Sequence, residues 1–349
     1  MENILVTGGA GFIGSNLTLT LQQKYPSARI TVIDDFRSGD FKNLEGFKGD
    51  LIAADLTDLN LKHYFKGVKF DALFHLASIT DTTDHDQLRQ TRDNVESWRT
   101  LLDYFAGRKT ALVYASSAAT YGIGGGINRI DAPLKPANVY AFSKVQMENL
   151  STRFAADFPE QRLVGVRYFN VYGPRETHKG QPASMIYHLA QQIAAGKSPR
   201  IFKFGEQKRD FVYVADIVAG TLAAATAPGA VHGAVYNLGS GQARSFNDVI
   251  SALNAALGTQ AVAEYFDNPF AFYQPHTEAD LSATTAALRY TPKFTLETGI
   301  QDYVKSGWLV PGHASAVPAP AAKASSAKKT IALEKIAPVK KSEPAPGGV

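Results

Sequence analysis

Thr7-Gly8-Gly9-Ala10-Gly11-Phe12-Ile13-Gly14 is the stretch on which the reading of this chain turns. It ends a short apolar run, Asn3–Thr7, and opens a segment, Phe12–Gln23, in which Phe12, Ile13, Leu17 and Leu21 recur at helical spacing. Gly8, Gly11 and Gly14 stand in a G-x-x-G-x-x-G pattern. Glycine there permits a tight turn, lets backbone N–H groups approach a pyrophosphate, and packs a helix against a strand. The helix N-terminus adds a partial positive charge facing the same anion. With 29 glycines in the chain a bare trio says little. The strand before it, the helix after it and an acid about 20 residues on turn it from a structural turn into a dinucleotide signature. Gly8, Gly11, Phe12, Ile13 and Gly14 are its candidate cofactor contacts.

The acid is Asp34, followed by Asp35, at the end of a second strand built on Ile30–Ile33. A carboxylate there accepts hydrogen bonds from the adenosine ribose, which favours NAD. Arg37 stands close enough in sequence to face a 2′-phosphate instead, so NAD and NADP both remain open. Ala72–His75, Ala111–Ala115 and Leu163–Tyr168 read as further buried strands, with helices over Asp86–Phe105 and Val139–Ala156 between them. Apolar strands alternating with helices predict an α/β fold, a Rossmann-type doubly wound parallel sheet covered on both faces. This domain is expected over 1–172, with 212–240 returning to it. A smaller C-terminal substrate-binding lobe is expected over 173–211 and 241–312, including a helix at Ser245–Leu257.

The last stretch, 313–349, is dominated by Ala, Lys, Pro and Ser and has no aromatic residue. It cannot bury enough surface to offset its ordering entropy and is expected to be a disordered tail. A weak contact with anionic lipid or polymer is the alternative. Six of the chain's 36 Lys and Arg and two of its 32 Asp and Glu lie there, so the rest is neutral. A basic domain built for nucleic acid is not indicated. Zero cysteines exclude a disulfide scaffold, a thiolate metal site and a cysteine nucleophile. None of the eight histidines forms an HxH or HExxH pattern, so no metal site is expected. No run of about 18 apolar residues occurs, and Met1–Val6 has no basic n-region, so neither membrane insertion nor secretion is expected and a cytoplasmic setting is.

The catalytic pattern is Asn138-Val139-Tyr140-Ala141-Phe142-Ser143-Lys144. Of 15 tyrosines only Tyr140 has a lysine four positions on. One such pair is what chance supplies; the context carries it, because the segment opens a helix after Pro136 and puts both side chains on one face. A neighbouring ammonium is expected to lower the phenol's pKa from about 10, so that it can take a proton from an alcohol as hydride leaves the carbon. Tyr114-Ala115-Ser116-Ser117-Ala118 supplies a hydroxyl at a strand end. Ser117 is the candidate to hold the substrate oxygen, against the blander reading of a cap or turn.

These motifs together resemble the extended short-chain dehydrogenase/reductases, the nucleotide-sugar epimerases and dehydratases. Tyr114–Gly122, Asn138–Lys144, Arg167–Gly180, Lys208–Val214 and Tyr236–Phe246 carry the resemblance over most of 1–310. Within that family it is closer still to the enzymes that invert C6 of the heptose in an ADP-sugar. The resemblance implies one tightly bound NAD or NADP per subunit, an ADP-sugar substrate, a role in lipopolysaccharide biosynthesis, and a homo-oligomer. It implies hydride leaving C6 to give a ketone and returning to the opposite face, with one acid/base group per face. Those groups would be Tyr140 and Lys179, with Lys144 orienting the nicotinamide ribose and Ser117 as the active-site serine. Taken alone, Lys179 beside Gly180 in a polar loop reads as a solvated lysine. Ala77, Ser78, Asn94 and Val171 resemble further cofactor contacts. Asn170, His188, Arg209 and Tyr273 resemble substrate contacts, and a guanidinium at Arg209 could clamp a diphosphate. His188 by itself reads as a hydrogen-bonded core histidine.

Three departures stand out. Ile201–Gln207 is a residue shorter than the family's usual loop, Asp34-Asp35-Phe36-Arg37 is more like NAD-using relatives, and the tail has no counterpart. A UDP-hexose 4-epimerase would share Tyr140 and Lys144 and is the first alternative. A dehydratase fits less well, since Ala118-Ala119 replaces its acid pair. A non-catalytic NAD(P)-binding module is the alternative from another class.

Overall fold

The computed structural model describes residues 1–81, 86–269 and 274–311. Tyr273 and the expected tail 313–349 lie outside them. The elements that frame the site run β1 (Asn3–Thr7), α1 (Phe12–Lys24), β2 (Arg29–Asp34), β3 (Asp50–Ala53), β4 (Ala72–His75), α2 (Gln87–Thr91), α3 (Ser97–Phe105), β5 (Ala111–Ser117), α4 (Val139–Asp157), β6 (Leu163–Tyr168) and β7 (Asn170–Tyr172). Then follow α5 (Met185–Ala194), β8 (Lys208–Tyr213), α6 (Val214–Thr226), β9 (Val235–Leu238), β10 (Ala243–Ser245), α7 (Phe246–Leu257) and α8 (Leu296–Lys305).

Seven strands form one sheet in the order β9-β6-β5-β4-β1-β2-β3, and every neighbouring pair is parallel. The doubly wound expectation therefore holds. Alternation along β1 decides which core each side chain joins. Ile4 and Val6 pack with Leu17 and Leu21 of α1 and Ile217 and Leu222 of α6. Leu5 points the other way, with Leu73 of β4, Trp98 and Leu101 of α3, and Met147 and Phe154 of α4. Each such buried side chain contributes about 1.5–3 kcal/mol relative to exposure. The chain runs outward from β1 through β2 to β3, then returns to β4 on the other side of β1. That reversal is the topological switch point, where doubly wound sheets place ligands beyond the strands' carboxyl ends.

A third core joins Ile186 and Leu189 of α5, Phe211 of β8, Val249 and Leu253 of α7, and Ile300 and Tyr303 of α8. A smaller sheet, β10-β8-β7, crosses it, with β8 parallel to β7 and antiparallel to β10. α7 starts from a reciprocal cap between Ser245 and Asp248.

Two local expectations are corrected. The helix expected over Asp86–Phe105 is three pieces: α2, a π-helical turn at Arg92–Glu96, and α3. One extra residue in the turn brings Asp93, Asn94 and Val95 all inward, which a regular 3.6-residue period would not do. β3 was not anticipated. Among the described residues it is an edge strand paired only with β2, its side chains are mostly exposed, and it lacks the apolar pattern of a buried strand.

Candidate active site

The cleft at the switch point begins at the glycine turn. Gly8 has φ +71°, and a Cβ on it would stand 2.5 Å from the Ala77 nitrogen. A Cβ on Gly14 would stand 1.9 Å from the Gly8 carbonyl oxygen. These two positions exclude any side chain. Gly11, where a Cβ would meet only the Gly8 oxygen at 3.2 Å, is less constrained. Gly11 precedes α1 without a side-chain cap, so the first N–H groups of the helix are left for an anion.

Asp34, buried at the end of β2, ties this turn to the strand. It accepts from the Ala10 amide at 2.8 Å and the Phe36 amide at 2.9 Å. Burial raises its pKa, and those amides oppose the shift. Phe36 takes a left-handed φ of 59°, which turns the chain so that Arg37 points back across the cleft. Arg37 pairs with three carboxylates: Asp35 through Nε, Asp93 through Nη1, and Asp55 through Nη2 at 3.3 Å.

At the other end stand Tyr140, Lys144 and Ser117. Asn138 caps α4 by accepting from the Ala141 amide at 2.8 Å, which fixes where the helix starts and which face Tyr140 and Lys144 share. Lys144 is 2% exposed and donates from Nζ to the Ala115 carbonyl at 2.9 Å. Burial lowers its pKa to about 7, against the pull of Glu148 one turn further on. Tyr140 is half-buried as a residue, with its hydroxyl sunk in the cleft wall. Burial raises its pKa, and a hydrogen bond from Ser117 opposes. This corrects the expectation that the Lys144 ammonium lowers the phenol. Nζ lies 5.8 Å from the ring centre, is engaged with β5, and sheds its own charge near neutrality. Ser117 is both things the sequence offered: its Oγ faces Tyr140 and also caps the next turn by accepting from Ala119 N at 3.1 Å. Ser116, pointing to the other face of β5, donates to Glu148 at 2.5 Å. Glu148 holds Arg167 of β6 through two nitrogens, at 2.9 and 2.7 Å, beneath the site.

Lys179 comes from the short turn Thr177–Lys179 that follows β7. Its Nζ lies 5.5 Å from the Phe12 ring centre. Burial lowers its pKa, with Glu176 opposing. Glu176 itself is buried, accepts from the Gly173 amide and from the Ser184 amide and hydroxyl, and so pins the loop that carries Lys179. These walls enclose about 880 Å³.

Residues 4–239 match the family described as NAD dependent epimerase/dehydratase. The chain belongs to that family. A protein of Brachyspira hyodysenteriae named ADP-L-glycero-D-manno-heptose-6-epimerase is 36% identical over 313 residues, 86% of this chain and 96% of its own. The crystal structure of the Helicobacter pylori ADP-L-glycero-D-manno-heptose-6-epimerase is 42% identical with a TM-score of 0.80, covering 87% of this chain and 96% of that one. UDP-glucuronic acid 4-epimerase of Bacillus cereus, solved with UDP-glucuronic acid and NAD, is 28% identical with a TM-score of 0.78, covering 87% of this chain and 99% of that one. The resemblance read from the sequence stands, and with it an NAD-dependent isomerase.

The residues fit the epimerase/dehydratase cofactor. The cradle at Gly8 and Gly14, the uncapped start of α1 and the carboxylates at β2 are what a pyrophosphate and a ribose require. Gly8, Gly11, Phe12, Ile13, Gly14, Asp34, Asp35, Arg37, Ala77, Ser78, Ser117, Tyr140, Lys144, Asn170, Val171 and Lys179 all line the cleft. Asn94 stands behind the wall. It is fully buried and brackets Ile79, accepting from its amide at 2.8 Å and donating to its carbonyl at 3.1 Å. Arg209 and His188 are not among the residues that line the cleft. Arg209 is on β8, and His188, on α5, is within 3.0 Å of the Gln181 carbonyl oxygen through Nε2. Sequence reasoning missed Asp55, Asp93, His178, Gln274 and Thr277, which line the cleft as well. Only His178 had a signal, beside Lys179 in the quoted motif. Asp55 follows the strand that pattern could not find, and Asp93 sits in the π turn.

Proposed function

We propose that this epimerase inverts C6 of ADP-D-glycero-D-manno-heptose to the L-glycero form through a transient C6 ketone. The observation that carries the proposal is the meeting in one cleft of two proton-handling side chains from separate segments, Tyr140 on α4 and Lys179 after β7. Two such groups suit an inversion, because one can serve the alcohol on each face of the carbon. Both groups are shifted by burial toward the neutral form, phenol and amine. The named relatives, matched over most of both chains, support the ADP-heptose.

NAD, when bound, supplies a nicotinamide that takes the hydride from C6 and returns it. Gly8, Gly11, Phe12, Ile13, Gly14, Asp34, Asp35, Ala77, Ser78 and Val171 would hold it, with Lys144 on its ribose. Ser117 would hold the C6 oxygen against Tyr140. One of Tyr140 and Lys179 accepts the hydroxyl proton as the ketone forms; the other donates a proton to the oxygen once the opposite face is presented. Net redox is zero, so no dinucleotide is consumed. We assign 173–211 and 241–312 to the substrate side, with Asn170, Arg209, His188 and Tyr273 as its contacts. No helix among the described residues is long and apolar enough to cross a membrane.

The test is proton NMR of ADP-D-glycero-D-manno-heptose incubated with the full chain, beside UDP-glucose as a control. Conversion to an equilibrium mixture of the two heptose epimers is expected. An unchanged ADP-heptose spectrum with turnover of the UDP-hexose would replace the reading with the 4-epimerase.

A further inference from the structure

We propose that Asp55 and Asp93 are specificity-determining residues: by engaging Arg37 they make the adenosine end of the cleft select NAD and reject the 2′-phosphate of NADP. The inference rests on the reading of this cleft as the dinucleotide site. Arg37 alone, three residues past Asp34, would suit a 2′-phosphate. In the fold its Nε, Nη1 and Nη2 each have a carboxylate partner, Asp35, Asp93 and Asp55. Every edge of the guanidinium that could present two parallel N–H groups to a phosphate is already engaged at one nitrogen or both. Arg92, the next cation, is paired through Nε to the other oxygen of Asp93 at 2.8 Å. Arg89 also lines the cleft and has a partner of its own.

The carboxylates outnumber the cations here, with Asp34, Asp35, Asp55 and Asp93 against Arg37, Arg89 and Arg92. A phosphate monoester brings nearly two further negative charges. It would have to compete with Asp55 and Asp93 for Arg37, whose side chain is 46% exposed. The Asp93 side chain is 3% exposed, so losing Arg37 would strip a buried carboxylate of one of its two cations. A 2′-hydroxyl makes no such demand, because it donates a hydrogen bond to a carboxylate. The three carboxylates come from three places that only the fold brings together: the end of β2, the residue after Ala54 beyond β3, and the π turn.

The experiment is competitive loading. The full chain is incubated with equimolar NAD and NADP, desalted, denatured, and the released dinucleotides are weighed by mass spectrometry. Wild type is expected to release NAD over NADP by about tenfold or more, the effect of about one charge-assisted contact. Asp55→Asn, at a partly exposed position that leaves no buried charge alone, should raise the NADP share several-fold. Asp55→Asn with Asp93→Asn should raise it further, and adding Arg37→Ala should abolish the gain. Equal release from wild type, or a ratio unmoved by Asp55→Asn, overturns the inference while leaving the dinucleotide site standing. Release of neither dinucleotide after loading overturns both.

Discussion

One cause acts in opposite directions on Tyr140 and Lys179. Loss of water raises a phenol's pKa and lowers an amine's, so each tends toward its uncharged form in the cleft. Tyr140→Phe and Lys179→Met should each abolish epimerisation, by about 10²–10⁴-fold in kcat. Both should keep bound NAD, read by mass spectrometry of the released cofactor. A Lys179→Met enzyme with normal turnover would remove the lysine from the reaction. At this scale the residues named from motifs with a fixed backbone, such as Gly8, Asp34, Tyr140 and Ser117, are brought together in one cleft. The sequence misled about Lys144, because four-residue spacing says two side chains share a face and nothing about whether the amine is committed to Ala115.

Among the elements, the π turn at Arg92–Glu96 has the widest reach. Its Asn94 brackets Ile79 in the wall after β4 and donates to Ser143 of α4 at 2.9 Å. It therefore couples the loop under Ala77 and Ser78 to the helix that carries Tyr140. Asn94→Ala leaves the part-buried Ile79 amide and carbonyl without those partners, a cost of up to about 1–3 kcal/mol. A lower melting temperature and weaker NAD retention are expected together; unchanged melting would mean that water replaces the amide. Strands buried on both faces, β1, β4 and β6, were legible to the residue, since they are mostly apolar runs, with a partnered polar residue such as His75 or Arg167 as the exception. β3 was not, because backbone pairing along one edge leaves no mark in the side chains. The π turn was not, because an inserted residue looks like an ordinary helix with its polar face out of phase.

For the molecule as a whole, the main sheet carries a hidden acid sensitivity. His75 is fully buried, stacks on Trp98 with ring centres 5.1 Å apart, and meets the Thr7 hydroxyl through Nδ1 at 2.7 Å. Burial lowers its pKa from 6.5 to about 3, with Lys144 adding to the shift. The unfolded chain then binds one more proton than the folded one between those values, so stability falls as pH drops from about 6.5 toward 3. Replacing His75 by Asn should flatten that slope by up to about 1.4 kcal/mol per pH unit, read from urea unfolding at a series of pH values. An identical slope would assign the acid sensitivity to the carboxylates instead. The two cores on the faces of a doubly wound sheet follow from strand–helix alternation, whereas the third core draws on segments as distant as α5 and α8, which no local pattern joins.

The burial that strips Lys144 of its charge near pH 7 also makes it a nucleophile. A pKa lowered to about 7 leaves far more of its amine as free base at that pH than the roughly one in three thousand of a lysine of ordinary basicity. An acylating reagent small enough to enter should therefore mark this side chain ahead of the solvent-facing lysines. Preloading with dinucleotide should shield it, turning the rate of acylation into a gauge of how full the cleft is.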